Sequence, residues 1–195
     1  MLFSKRLPEL RPICWMAALT AVLLAGSARA QVVPAAIGSS HALWAGGEYS
    51  NFHASFPYES NQRLWGIGAF VDYRLTPHIG VVAEARFLRF NSFYGESEDN
   101  YLGGAHYLTK RFGKLQPYAL GLAGIGKIQY PFQIGSGRYI SIAPGGGASY
   151  SIARKWSVRG EYEYQLWLNS PNIPDEPSHM LTPNGFNIGI AYRLF

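Results

Sequence analysis

The chain has 195 residues, a net charge of +5, 15% aromatic residues, 22 glycines and one cysteine. Lys5, Arg6, Arg11 and Arg29 stand against Glu9 before residue 31, so only about two net positive charges belong to the remainder, poor grounds for a nucleic-acid partner. The lone Cys14 excludes a disulfide framework and a cysteine metal site, and glycine and aromatic enrichment without long apolar blocks beyond the N-terminal region argues for many alternating strands.

Residues 1–30 read as a cleavable signal peptide: a charged start, an apolar run from Ile13 to Gly26, and Ala28-Arg29-Ala30 before a cut at Gln31. The run is too short for a spanning helix, which needs about 20 apolar residues. Residues 31–41, with Pro34 and Gly38-Ser39-Ser40, form a flexible leader. Residues 42–195 read as one all-β domain of ordinary size.

Eight strands are expected in that domain. The first covers about Ala42 to His53. The second, about Gln62 to Arg74, sets Trp65, Ile67, Ala69, Val71 and Tyr73 on one face and Gly66, Gly68, Phe70, Asp72 and Arg74 on the other, because strand side chains change face at every residue. The third, about Ile79 to Phe90, opposes Val81, Ala83, Ala85 and Phe87 to Glu84 and Arg86. The fourth and fifth run from about Tyr101 to Lys110 and Gln116 to Gln129. The sixth, about Arg138 to Ser151, contains Pro144 and Gly145-Gly146-Gly147, where a bulge or local break is expected. In the seventh, about Trp156 to Leu168, Val158, Gly160, Tyr162, Tyr164, Leu166 and Leu168 oppose Arg159, Glu161, Glu163 and Gln165. The last begins near Asn184 and presents Phe186, Ile188, Ile190, Tyr192 and Leu194 on one face, with Asn187, Gly189, Ala191 and Arg193 on the other.

The connections alternate. Those around Leu75–His78, Arg111–Leu115 and Ala153–Lys155 are short; those around Ala54–Ser60, Asn91–Asn100, Tyr130–Gly137 and Asn169–Pro183 are long. Lys110, Arg111, Lys114, Arg154 and Lys155 fall at short turns, and Glu96, Glu98, Asp99, Asp175 and Glu176 in long loops. Short turns at one rim and long loops at the other describe a transmembrane barrel with periplasmic turns and extracellular loops. A weak repeat supports this arrangement: Tyr73 precedes Glu84, and Tyr150 precedes Glu161, by the same eleven residues across a short turn.

Together, the signal peptide, the alternating strands, the tyrosine-and-turn signature followed by an inward glutamate, and the final Phe195 resemble the small outer-membrane β-barrel proteins, the family of the OmpA transmembrane domain and OmpX. The resemblance spans residues 42–195. It implies an eight-stranded antiparallel up-and-down barrel in a Gram-negative-type outer membrane, without catalysis or cofactor. Lipid or lipopolysaccharide would surround it; periplasmic chaperones and the barrel-assembly machinery would attend its biogenesis, reading Tyr192, Leu194 and Phe195 as the C-terminal signal. The familiar signal carries an aromatic residue where Arg193 stands here. No peptidoglycan-binding domain follows the barrel, and a monomer is expected.

With apolar faces toward lipid, the interior collects Glu48, Asp72, Arg74, Glu84, Arg86, Arg159, Glu161, Glu163 and Arg193. Eight strands leave room only for side chains, so these charges are expected to pair and plug the lumen. A narrow ion channel gated by rearranging pairs is the alternative. A lipid A-modifying enzyme is a further one: some barrels of this size use His and Ser, and His53 and Ser55 lie two residues apart with Glu59 nearby. His41, His78, His106 and His179 show no metal-ligand spacing, and Gly145-Gly146-Gly147 lacks the lysine and helix of a phosphate loop. A soluble lipocalin-like barrel would have to bury Glu84, Arg86, Arg159, Glu161 and Glu163 in an apolar interior.

Overall fold

The computed structural model describes residues 41–54, 63–92, 94–130, 132, 135–168 and 180–195. The expected signal peptide and most of the leader lie outside these residues. Its described strands are β1 (Ala42–His53), β2 (Arg63–Arg74), β3 (Ile79–Phe90), β4 (Ser97–Leu108), β5 (Leu115–Gln129), β6 (Ser136–Ser151), β7 (Trp156–Tyr164), β8 (Leu166–Leu168) and β9 (Asn184–Arg193). Each pairs antiparallel with its sequence neighbours, β7 and β8 forming one stave broken at Gln165, and β9 pairs with β1. The result is a closed barrel of eight staves with no free sheet edge.

One row of paired residues shows how the barrel closes. From Ala42 it passes through Arg74, Gly80, His106, Leu120, Gly145, Glu163 and Gly185, and re-enters β1 at Phe52. One circuit thus climbs from residue 42 to residue 52. At about 3.3 Å per residue and about 4.8 Å between strands, that stagger tilts the staves by about 40°. Every residue of the row points inward, so the alternation along each strand becomes two continuous surfaces.

The outer surface is apolar. Ile67, Val71, Val81, Ile125, Ile140, Ile188 and Ile190 are exposed, Ile67 to 62%. Rings collect above and below them. Near the short turns, Trp156 meets Tyr192 at 4.9 Å and His78 stacks on Tyr107 at 6.0 Å. Near the long loops, Tyr49, Trp65 and Phe90 contact in sequence at 6.0 Å each, and Phe87 meets Tyr101 at 5.9 Å. An aliphatic belt between two aromatic girdles is the surface a barrel turns toward lipid.

Three local features differ from the sequence reading. β4 begins at Ser97, so Glu98 and Asp99 belong to a strand and not to a long loop; β3 extends far enough to pair Leu88 with Glu98 and Phe87 with Asp99. β6 is unbroken through Pro144, and the register shift falls between Trp65 and Gly66. The break instead appears in the partner stave. Continuing the register from Gly145 opposite Glu163 sets Pro144 against Tyr164, and proline has no N–H to give the ladder. Finally, His41 is fastened to the barrel, its N–H donating to the Arg74 carbonyl at 2.8 Å.

The expected turns close compactly. Thr76 Oγ1 accepts from the N–H of Ile79 at 2.9 Å and of His78 at 3.2 Å, a side-chain substitute for backbone turn bonds. Gly113 takes the left-handed conformation (φ 62°) in the turn before β5.

Candidate functional site

The inward face is built in layers. In the middle, Arg86 on β3 lies between Glu48 on β1, Glu84 on its own strand and Glu163 on β7: Nε is 3.4 Å from Glu48 Oε1, and Nη2 donates to Glu163 Oε1 at 2.7 Å and to Glu84 Oε1. Arg159 on β7 forms the second hub, with Nη2 at 2.5 Å from Glu48, 3.3 Å from Glu84 and 3.1 Å from Glu161. Glu48 and Glu84 therefore bridge both guanidiniums. The eleven-residue repeat brings Glu84 and Glu161 to the same arginine.

Neutral donors complete this layer. Tyr118 donates its hydroxyl to Glu161 at 2.7 Å, and the Asn187 amide donates to Glu161 at 3.2 Å and to Glu163 at 2.6 Å. Phe70 covers the Arg159 guanidinium at 3.4 Å, and Phe52 covers Arg86 at 4.7 Å. Burial is nearly complete: the Arg86, Glu48 and Glu163 side chains are 0% exposed. Charges removed from water this far are stable only with partners and hydrogen bonds on most sides.

Beyond Arg86, toward the long loops, apolar side chains predominate, with Glu98 buried beside Leu88 and Ile128 and accepting from the Asn100 amide at 2.8 Å. Phe52, Ala54, Leu64, Leu88, Ile128, Tyr139, Trp167 and Leu181 pack into one buried cluster across the mouth. Trp167 is fully buried, tilts against Tyr139 at 5.5 Å and donates its indole N–H to Gln165 at 2.7 Å. Tyr130 joins the rim through a 2.8 Å hydroxyl contact with Tyr139.

Toward the short turns the interior is mixed: buried apolar clusters that include Val82, Leu108 and Leu120, and Trp44 and Phe70, stand beside polar groups. His106 Nε2 lies 3.2 Å from Asp72 Oδ1, and its ring meets Tyr118 edge-on at 5.8 Å. This position depends on Gly80, since a Cβ there would come within 2.0 Å of the imidazole. Arg74 donates to Gln116 at 3.2 Å and stacks over Trp44 at 5.4 Å.

Of the nine expected interior charges, six meet in the middle layer: Glu48, Glu84, Arg86, Arg159, Glu161 and Glu163. Asp72 and Arg74 lie in the short-turn layer. Arg193 meets no Asp or Glu side chain among the described residues; β9 carries it out to the rim, where its Nε donates to the main-chain oxygen of Phe195 at 3.2 Å. Sequence reasoning put Asn187 on the inward face without giving it a role, and overlooked Tyr118, His106 and Glu98 as interior groups and the apolar cluster altogether. Strand parity was the available signal: Phe52 shares a face with Glu48, Leu88 with Arg86, and Trp167 with Glu163.

Carboxylate oxygens of Glu48, Glu84 and Glu161 lie within 4.8 Å of one another, close enough to suggest a metal cage. Two arginines already supply the countercharge there, which makes the cluster an ion-pair layer. His53 ends β1 on its outward face; Ser55 and Glu59, its suggested partners, lie outside the described residues.

Closed topology, an apolar exterior and a packed, partly charged interior define a small transmembrane β-barrel. The family model for the outer membrane protein beta-barrel domain matches residues 18–193, and the chain belongs to that family. Its place is the outer membrane of a Gram-negative bacterium. No curated protein matches it by sequence. Among solved structures, Neisserial surface protein A is similar with a TM-score of 0.58 at 10% identity, over 80% of this chain and 99% of that one. Ail, the attachment invasion locus protein of Yersinia pestis, gives 0.53 at 16%, over 81% and 100%. OprG from Pseudomonas aeruginosa gives 0.50 at 10%, over 80% and 97%. At these identities the likeness is one of fold.

Proposed function

We propose that this protein is a non-enzymatic barrel with a structural or surface role, its lumen closed twice, by the ion-pair layer and by the apolar cluster above it. The carrying observation is the second closure. Rearranging ion pairs could open a charged constriction, but an ion would still meet the packed side chains of Phe52, Leu64, Leu88 and Trp167, whose apolar surfaces offer little to replace its water even with Glu98 buried at that level. Function then falls to the outer surface and to the loops, which stand outward as in the family's architecture. The likeness in fold to a surface protein and to an attachment protein is in keeping with such a role.

Purified protein in planar bilayers tests this reading. A silent membrane at moderate voltage is expected; steady single-channel steps would overturn it. One observation favours the channel alternative: the middle layer holds four carboxylates, Glu48, Glu84, Glu161 and Glu163, around two guanidiniums, an excess that would attract small cations. If the lumen conducts, cation selectivity is therefore the expected form. The enzyme reading is addressed by mass spectra of lipid A from cells with and without the protein, for which unchanged acylation is expected. The monomer, the chaperone contacts and the role of Tyr192, Leu194 and Phe195 as an assembly signal belong to the same proposal.

A further inference from the structure

The outward face of β5 and β6 is apolar until its last steps before the long loop. Ala123 pairs with Ile142 and Ile125 with Ile140; the next outward pair is Lys127 with Arg138. Both are exposed, and neither has an ion-pair or hydrogen-bonding side-chain partner among the described residues. Direct opposition across an antiparallel pair places their Cβ atoms about 5 Å apart, where like charges repel. The neighbouring strand offers Lys127 one carboxylate, Asp99. Arg89 already occupies it: its Nη2 lies 2.8 Å from both Asp99 oxygens. Three cations thus share one anion on the lipid-facing side, just beyond the girdle ring contact between Phe87 and Tyr101.

A repelling pair at that level calls for an anion from the membrane. Lysine and arginine at the end of an apolar belt extend their charged ends into the headgroup region, and guanidinium and ammonium groups together suit a phosphate oxygen fork. We propose that Lys127 and Arg138, flanked by Arg89, hold the phosphate of an acylated, phosphorylated glucosamine lipid of the lipid A type. The aliphatic steps below, Ile125, Ile140 and Ile142, would lie along its acyl chains. Geometry favours a lipid over a free anion because the apolar and cationic surfaces are continuous. The proposal rests on the outward direction of the long loops but not on a closed lumen, so a conducting barrel would leave it intact.

The test uses full-length protein processed in cells, purified in non-ionic detergent, with bound lipid counted by native mass spectrometry. Three probes are compared: bisphosphoryl lipid A, the same lipid with its phosphates removed, and inorganic pyrophosphate. Wild type should bind the bisphosphoryl form about tenfold or more tightly than the dephosphorylated one, and added salt should weaken the preference. Lys127→Glu with Arg138→Glu should abolish it while the unboiled protein keeps its folded gel mobility; Lys127→Gln with Arg138→Gln serves if charge reversal impairs folding. Lys110→Glu with Lys114→Glu at the opposite rim should leave it unchanged. Equal binding of the two lipids, equal loss in the control pair, or pyrophosphate binding as tight as the lipid's would each overturn the proposal. Gln129→Cys should be labelled on intact cells by an impermeant reagent; no labelling until the cells are broken would overturn the outward orientation.

Discussion

The middle of the lumen and its mouth are equally buried but depend on opposite chemistry. In the middle layer, each group is stable because its neighbours are charged; Arg86 touches three glutamates and has no alternative environment. In the mouth, Trp167 and Leu64 are stable because the side chains they pack against are apolar. This small barrel therefore does not have a polar interior throughout. It has a core divided along its axis, and Phe52 joins the parts by packing with the apolar cluster while covering the Arg86 guanidinium.

The difference is open to direct attack. Arg86→Met is expected to have the largest effect, about 3–5 kcal/mol of destabilisation, because Glu48, Glu84 and Glu163 lose a shared cation inside the barrel. Urea unfolding in detergent, followed by the loss of heat-modifiable gel mobility, measures it; an effect below 1 kcal/mol would mean that water reaches the layer freely. Trp167→Ala should cost about 3–4 kcal/mol through the cavity it leaves. It should also narrow the barrier at the mouth, visible as conductance bursts absent from wild type.

Smaller changes sharpen the contrast. Arg193→Ala should cost no more than about 1 kcal/mol, since a rim arginine bonded to a main-chain oxygen shares its position with water. A cost as large as that of Arg86→Met would place Arg193 in the buried network after all. Tyr130→Phe removes one hydroxyl contact, worth about 0.5–1.5 kcal/mol. Burial and the bond to Tyr139 raise the Tyr130 phenol above its usual value. Because the folded form holds this proton more tightly, its contribution is complete below about pH 10 and is lost as pH rises beyond the unfolded value. Wild type should therefore lose more stability than Tyr130→Phe between pH 8 and pH 11.

Much of this architecture was legible because a barrel wall has a period of two. The alternation from Trp65 to Arg74 sorted that stave correctly, and loop length separated the two rims. The lumen was harder to read. Inward residues were selected by charge, which found Glu48 and Arg159 but passed over Trp167 and Leu64, although parity placed them on the same surface. Glu98 looked like part of an acidic loop because strand and loop compositions merge there; only its pairing with Leu88 shows that β4 has begun. Pro144 signalled a break correctly in kind but on the wrong stave, since a missing N–H is felt by the partner strand.

The closing register also bears on how the protein reaches this state. The Glu48–Arg159 bond joins residues 111 apart in the chain, and β9 finds β1 across nearly the whole domain. Those contacts form only after the intervening staves have been ordered, so much of the entropy loss precedes the stabilisation that the last seam brings. Folding should be slow and closure late. Until then, Arg86 and its glutamates wait beside open strand edges, where a helper that shields both would have most to contribute.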